Sequence, residues 1–366
     1  MVYRVLGLMS GSSLDGLDLC YAHFQETSGK WTYEIIKADC YGYTPDWINK
    51  LKHAIELNAR EYLLLHVEYG HYLGELVNCF LENNGLGYQV QLIASHGHTS
   101  FHVPSHKMTA QLGDGAAIAA ETGINVVSDL RAIDLALGGQ GAPIVPIGER
   151  VLLGDFYFFL NLGGIANLSA DQGKLGIVAF DICPANRVLN LLCNEVGKEY
   201  DDGGRLAESG KVQAALLNQL NELPYYHQPF PKSLANDFGT DVVYPMIRAK
   251  GSAIPDALRT MTEHVVFQTK SAIKKLMTTA DEKKRQLLVT GGGAFNNFLV
   301  RRLSEELNEL RIEVVVPEEN LVKYKEALIM AMMGVLRWRE ENNVMSSVTG
   351  ASRDSIGGAV WMGQEA

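Results

Sequence analysis

Three glycine-rich turns, each directly following a short apolar run, constrain the fold of this chain more than any other feature. They span residues 7–18, 161–167 and 290–297. Glycine permits sharp turns and close approach of the backbone to a ligand, because it has no Cβ atom. The pattern therefore predicts buried strands that end at turns where a ligand can contact the main chain.

The first turn combines Gly11 and Gly16 with a run of small hydroxyl residues. Uncovered backbone N–H groups suit phosphate oxygens, and the Asp15 carboxylate could hold a metal-bound water near them. The alternative is an ordinary hairpin turn in which Ser and Asp side chains satisfy the backbone. It is not a Walker A loop, because no Lys-Ser or Lys-Thr follows the glycines. The candidate ATP-binding residues here are Gly11, Ser12, Ser13, Leu14, Asp15, Gly16, Leu17 and Asp18.

The second and third turns each place adjacent glycines after an apolar strand. The third precedes a predicted helix, a position where a nucleotide can lie against the backbone. It does not form the dinucleotide fingerprint GxGxxG, because Asn296 occupies the sixth position. The candidate ATP-binding residues in these turns are Asn161, Gly163, Gly164, Gly291, Gly292 and Gly293.

The order of predicted elements indicates two α/β domains. A chain of 366 residues is longer than a single hydrophobic core usually supports. Each half opens with a strand, a glycine-rich turn and a second strand. We expect the boundary near residue 132, with the segment after about 343 returning to the first domain. Strands are predicted at 3–8, 17–24, 31–41, 91–95, 125–128, 156–160, 175–181, 287–290 and 314–316. Helices are predicted at 45–84, 116–122, 187–196, 211–220, 257–277, from about 297, and at 326–339.

Composition excludes several classes of function. The formal net charge is −10 and no block of Lys and Arg is long enough to follow a nucleic-acid backbone. Five cysteines without a CxxC pair argue against a disulfide framework. No apolar run approaches a membrane span, and no signal-peptide pattern opens the sequence. We therefore expect a soluble, cytoplasmic protein that binds neither nucleic acid nor membrane.

The three turns, in the order phosphate, phosphate, adenosine, resemble those of the actin-like ATPase superfamily. Within that superfamily, the residues of the motifs resemble those of the anhydro-N-acetylmuramic acid kinase family along nearly the whole chain. The matching stretches are 9–16, 95–99, 138–143, 161–167, 180–181, 291–294, 325–327 and 349–353.

That resemblance implies two actin-like (ribonuclease H-like) domains with an interdomain cleft. It also implies an ATP-dependent kinase with Mg²⁺, acting in cell-wall sugar recycling. ATP and water would convert 1,6-anhydro-N-acetylmuramic acid into its ring-opened 6-phosphate. A homodimer is the assembly that the family suggests.

Asp181 matches the family's catalytic aspartate and is assigned as the general base for water. From its position after a predicted strand alone, it could equally be a helix N-cap. The resemblance also implies sugar contacts by His96, Arg131, Asp134, Pro184, Asn186 and Glu326. Arg131 suits the lactyl carboxylate of the sugar, with a surface ion pair as the alternative. Glu326 could instead be a first-turn helix residue favoured by the helix dipole.

The sequence departs from the family pattern after Asp181. The family commonly reads Thr-Gly-Pro-Gly-Asn there, whereas this chain has Ile182, Cys183, Pro184, Ala185 and Asn186. The replacements predict added bulk near the sugar. Two alternative functions therefore stay open: a kinase of this fold for another sugar or sugar acid, and a non-catalytic ATP-binding switch.

Two further clusters have competing interpretations. His96 and His98 lie on one strand face, an arrangement that can bind zinc, but no carboxylate or thiol lies in the same stretch. We interpret them as part of the active-site wall. Met330, Met332 and Met333 predict either core packing or a subunit interface.

Overall fold

The computed structural model describes residues 1–11, 13–173, 176–230, 232–235, 237–277 and 285–363. Its strands are β1 (Val2–Ser10), β2 (Gly16–Thr27), β3 (Lys30–Gly42), β4 (Leu92–Val103), β5 (Met108–Leu112), β6 (Asn125–Ser128), β7 (Phe158–Leu162), β8 (Ile165–Asp171), β9 (Ile177–Pro184), β10 (Arg285–Thr290), β11 (Ile312–Val315) and β12 (Ala359–Trp361).

Helices alternate with these strands. They are α1 (Pro45–Lys52), α2 (Ala59–Asn83), α3 (Gly115–Thr122), α4 (Ala132–Ala136), α5 (Pro146–Leu152), α6 (Asn186–Asn194), α7 (Arg205–Ser209), α8 (Ala214–Asn221), α9 (Tyr244–Arg248), α10 (Ile254–Leu276), α11 (Asn297–Asn308), α12 (Glu319–Trp338) and α13 (Ser346–Thr349). None of these described helices combines the length and the apolar character that crossing a membrane requires.

The chain forms two compact units. The first comprises Met1–Gly154 and Tyr324–Ala366, and the second comprises Asp155–Lys323. Both boundaries differ from those expected near 132 and 343, because residues 133–154 and 324–342 belong to the first unit. For residues 324–342 the reason is the packing of α12 on β1: a methyl group on Gly7 would lie 1.8 Å from the carbonyl oxygen of Ala327. Only glycine allows the helix to approach the strand so closely.

The first unit is built on a seven-stranded mixed sheet. Its order is β12-β6-β4-β1-β2-β3, with β5 pairing to β4. Strands β1, β2 and β3 form an antiparallel meander, and β4 runs parallel to β1 and to β6. Leu6, Leu8, Tyr21, Tyr69 and Phe80 are fully buried in its core.

The second unit repeats the central order of the first. Its five strands run β11-β10-β7-β8-β9. Strands β7, β8 and β9 form the antiparallel meander, β10 runs parallel to β7, and β11 runs parallel to β10. Both units thus show the strand order of ribonuclease H-like domains, and the predicted α/β fold class of two such domains is confirmed.

Some elements differ from the sequence prediction. The helix predicted over 45–84 is broken into α1 and α2, and each part has its own N-cap, Thr44 and Asn58. Side-chain oxygens at these positions accept from exposed amides of the first turn and so favour a new helix start. Strand β8 was not predicted, and β4 continues past the predicted end to Val103.

The methionine-rich stretch of α12 is core. Met330, Met332 and Met333 are fully buried within the single chain. The core interpretation is confirmed, and the interpretation of these side chains as a subunit contact is wrong, because a buried side chain cannot reach a second copy. The homodimer itself stays a prediction.

Candidate functional site

The first glycine-rich turn joins β1 to β2. The Ser13 hydroxyl donates to Asp15 Oδ1 at 2.5 Å, and both side chains are exposed. Leu14 has a left-handed φ of 60°, which makes the turn sharp. Asp15 Oδ2 has no hydrogen-bond partner among the described residues, so half of this carboxylate is open to a ligand. Ser12 lies outside the described residues.

The three residues after Asp15 lie in β2 rather than in the turn. Gly16 and Leu17 are buried, and the Leu17 side chain packs in the core of the first unit. Asp18 is half-buried. Burial raises its pKa to about 6, opposed by a hydrogen bond from the Cys40 thiol and assisted by the charges of Asp15 and Glu326. An acidic group of this kind is costly without a cationic ligand.

Arg131 and His96 form a partly buried contact in the first unit. Arg131 Nε donates to His96 Nε2 at 2.9 Å, and Arg131 Nη1 donates to the Gly141 carbonyl at 2.5 Å. Burial, with the Arg131 charge second, lowers the pKa of His96 to about 3, so the ring is neutral. Its Nδ1 therefore carries the proton and donates to the Gly97 carbonyl at 2.8 Å. Arg131 is not a surface ion pair.

Asp134 holds the loop that follows it. This carboxylate is fully buried, and it accepts from the Gly141 amide at 2.7 Å and from the Thr349 hydroxyl at 2.6 Å. A methyl group on Gly139 would lie 2.2 Å from Asp134 Oδ2. Both oxygens are thus committed to the protein, and the predicted sugar contact of Asp134 stays a prediction.

Glu326 presents a half-buried carboxylate without a hydrogen-bond partner among the described residues. Burial raises its pKa, while the charges of Lys325 and Arg131 lower it. Helix α12 begins at Glu319, so Glu326 is not in its first turn, although it follows the non-helical Tyr324 by two residues. An unpaired carboxyl group near an arginine suits a hydroxyl-bearing ligand.

A buried polar network at the start of the first turn was not predicted. The hydroxyls of Tyr43 and Tyr69 donate to Ser10 Oγ at 2.8 and 3.1 Å, and Ser10 Oγ lies 3.0 Å from His98 Nδ1. His98 therefore has a partner that is neither a metal nor a carboxylate. Tyrosines distant in sequence gave no local signal for it.

In the second unit, the two remaining glycine-rich turns pack against each other. A methyl group on Gly291 would lie 2.4 Å from Asn161 Oδ1, and Gly291 has a φ of 79°. Asn186 Nδ2 donates to the Leu162 carbonyl at 2.8 Å. Close packing and left-handed geometry both require glycine at 291.

These turns leave hydrogen-bond donors unused. Among the described residues, the amides of Gly163, Gly164, Gly292 and Gly293 have no hydrogen-bond acceptor. Gly163, Gly164 and Gly292 are at least partly exposed. Free backbone N–H groups of adjacent residues form the kind of concavity that binds anions.

Asp181 lies inside β9, not after it, and it does not cap a helix. The Leu234 amide donates to Asp181 Oδ2 at 2.8 Å, and the Tyr225 hydroxyl donates to its carbonyl oxygen at 2.7 Å. Burial raises the pKa of Asp181, and the Leu234 hydrogen bond opposes that rise. Oδ1 has no partner among the described residues. A half-buried carboxylate with one fixed and one free oxygen can act as a general base.

The side chains that differ from the family pattern are buried in the protein. Ile182, Cys183 and Ala185 are buried in the hydrophobic core of the second unit. Pro184 is also buried, and it packs against Gly239. The expectation that the replacements add bulk beside the sugar stays a prediction.

Sequence relatives agree with the motifs. The model of the family described as "Anhydro-N-acetylmuramic acid kinase" matches residues 3–363. Proteins named anhydro-N-acetylmuramic acid kinase from Hydrogenovibrio crunogenus and Haemophilus influenzae are 33% and 32% identical, each over 97% of both chains.

Solved structures give weaker likenesses. An activator of 2-hydroxyisocaproyl-CoA dehydratase from Clostridium difficile, with bound ADPNP, aligns with 92% of this chain and 96% of its own. The TM-score is 0.44 at 13% identity, so the assignment depends on the sequence relatives. Those relatives and the family model span nearly the full length, and the chain belongs to the anhydro-N-acetylmuramic acid kinase family.

Proposed function

We propose that this chain is an ATP-dependent kinase that converts 1,6-anhydro-N-acetylmuramic acid, ATP and water into N-acetylmuramic acid 6-phosphate and ADP. Family membership supports the substrate class. The single observation that carries the mechanism is the carboxylate of Asp181, with Oδ2 fixed by the Leu234 amide and Oδ1 free of partners among the described residues.

The reaction couples two substitutions, one at the anomeric carbon and one at the γ-phosphorus. Water attacks the anomeric carbon, the bond from that carbon to the bridging oxygen breaks, and the electron pair stays on the released O6. That oxygen attacks the γ-phosphorus of ATP, and ADP leaves. The proton lost by water is the one that a general base must accept, as in inverting glycoside hydrolysis.

Asp181 is suited to be that base. Burial raises its pKa, which makes the ionised carboxylate a stronger base. The Leu234 amide orients the carboxylate through Oδ2 and leaves Oδ1 to contact the water. Such a positioned base typically contributes about 10²–10⁴-fold to the rate.

Arg131 and Glu326 are proposed to contact the sugar. A guanidinium has five N–H groups, and Arg131 uses one on Nε and one on Nη1 for His96 and Gly141. The remaining donors suit the lactyl carboxylate. Glu326, without a partner among the described residues, suits a sugar hydroxyl.

The glycine-rich turns are proposed to hold ATP with Mg²⁺. Unused amides at Gly163, Gly164, Gly292 and Gly293 fit phosphate oxygens. The exposed Asp15 carboxylate, with Oδ2 free among the described residues, fits a hydrated cation. Bound there, Mg²⁺ would neutralise phosphate charge during transfer.

Product analysis in isotopically labelled water tests the proposal. The anhydro sugar, ATP and heavy-oxygen water are mixed with enzyme, quenched, and reduced at once with borohydride to prevent exchange at the anomeric carbon. We expect a sugar phosphate with one heavy oxygen on the anomeric carbon and none in the phosphate. Phosphorylation of an ordinary hexose but not of the anhydro sugar would support the alternative kinase. ATP binding without sugar-dependent ADP release would support the non-catalytic switch.

A further inference from the structure

Arg187 lies against the second glycine-rich turn. It is the second residue of α6, and its amide donates to the Gly164 carbonyl at 3.3 Å. A methyl group built on Gly164 would lie 3.7 Å from Arg187 Cβ and 3.6 Å from its Nε. The side chain, and not only the backbone, therefore packs along the turn.

The guanidinium of Arg187 has no partner among the described residues, although it is half-buried. Several other arginines of the second unit are paired with glutamates. Examples are Arg248, Arg259, Arg301 and Arg302. A partly desolvated cation without a counter-ion is unfavourable, so its presence indicates an anionic ligand.

In the turn beside Arg187, the backbone groups left free for a ligand are hydrogen-bond donors. The amides of Ala185 and Asn186 donate to the carbonyls of Gly164 and Gly163 at 2.9 and 3.0 Å. Both carbonyl oxygens of the turn are therefore occupied, while its own two amides have no acceptor among the described residues. A surface with two free N–H groups and a cation is suited to an anion. It is unsuited to a neutral ligand group that must also donate a hydrogen bond.

We propose that Arg187 binds a phosphate of the nucleoside triphosphate, together with the amides of Gly163 and Gly164. This inference rests on the proposed function, because it assumes that the second turn is a phosphate site. A guanidinium contacts two phosphate oxygens at once through parallel N–H groups. Arg187 would thereby fix the phosphate chain and offset its charge.

Nucleotide binding measured by calorimetry tests the role of Arg187. The variants are Arg187→Gln and Arg187→Lys, with Arg205→Gln as a control. Arg205 is exposed, and its ion pair among the described residues is with Asp202 at 3.4 Å. We expect Arg187→Gln to weaken ATP and ADP by about 10–100-fold, the usual range for a hydrogen bond to a charged group. Adenosine affinity should not change, and Arg187→Lys should recover part of the loss.

The outcomes separate this inference from the proposed function. Unchanged ATP and ADP affinity in Arg187→Gln, with tight binding by the wild type, overturns the role of Arg187 and leaves the kinase intact. An equal loss for adenosine also overturns it, because a contact with phosphate cannot weaken a ligand that lacks phosphate. Absence of ATP binding by the wild type overturns the proposed function itself.

Discussion

Lys325 and Glu149 form an ion pair in the interior of the first unit. Lys325 Nζ donates to Glu149 Oε1 at 2.7 Å, and each side chain is 5% exposed. The pair joins α12 to α5, and Lys325 directly precedes Glu326. A buried pair is weak evidence for stability, because desolvation offsets the attraction. Its position instead suggests that it fixes the part of α12 that carries Glu326.

Removing one partner of this pair should destabilise the protein more than removing both. Lys325→Met should lower the free energy of unfolding by about 3–5 kcal/mol, since Glu149 loses its cationic partner. The double variant with Glu149→Leu should recover most of that loss. Urea unfolding of the wild type, both single variants and the double variant provides the measurement. Additive losses would show that the two side chains are not coupled.

The sequence predicted the strands that carry the site but not the contacts between distant segments. The hairpin of β1 and β2 was predictable, because apolar runs flank a turn rich in small residues. The Thr349 hydroxyl that contacts Asp134 lies 215 residues away in the chain, and no local pattern encodes such a pairing.

The orientation of side chains near Asp181 was also beyond sequence reasoning. The register of β8 and β9 shifts between Ala166 and Asn167, so Ile182 is an extra residue in β9. A bulge of one residue reverses the faces that alternation assigns. The bulge is visible only in the paired strands.

Asp18→Asn should stabilise the protein at neutral pH. In the unfolded chain this carboxyl ionises near pH 4, whereas in the folded state burial raises its pKa to about 6. Below about pH 4 the Asp18 carboxyl is protonated in both the folded and the unfolded state, so it does not change the free energy of unfolding. As the pH rises to about 6, its ionisation increasingly destabilises the folded state, and above that pH the destabilisation is constant. We expect a gain on the order of 1–3 kcal/mol at about pH 7 and none at about pH 4.

Urea unfolding at both pH values measures the effect of Asp18→Asn. Asp39→Asn, which changes an exposed carboxylate on the adjacent strand β3, is the matched control and should change little. An equal gain at both pH values would mean that charge on Asp18 is not the cause.

Leu234→Pro should shift the pH dependence of activity. The Leu234 amide favours the ionised form of Asp181, and proline has no amide hydrogen. Its loss raises the pKa of Asp181 further. Because the base must be ionised, the acidic limb of the kcat/KM profile should move to higher pH. Leu234→Ala keeps the amide and should leave the limb in place; a shift in both variants would point to the side chain instead.

Arg131→Gln should reduce discrimination for the lactyl group. We expect kcat/KM for the anhydromuramic sugar to fall by about 10–100-fold, as for a lost hydrogen bond to a charged group. The 1,6-anhydro-N-acetylglucosamine analogue has no lactyl carboxylate, so kcat/KM for that sugar should change much less. Equal losses for both sugars would assign Arg131 a structural role through His96 and Gly141.

Asp181→Asn should strongly reduce turnover while retaining ATP affinity. An amide cannot accept the proton of water, although its carbonyl oxygen can still accept from the Leu234 amide, so the local structure should persist. We expect kcat to fall by about 10²–10⁴-fold, measured by sugar-dependent ADP release, with ATP affinity measured by calorimetry. Asp171→Asn provides a control that should retain activity. Asp171 is the last residue of β8 in the same unit, and its carboxylate accepts an exposed hydrogen bond from the Gly173 amide. Full activity in Asp181→Asn would exclude Asp181 as the base, and joint loss of turnover and ATP affinity would indicate a structural defect.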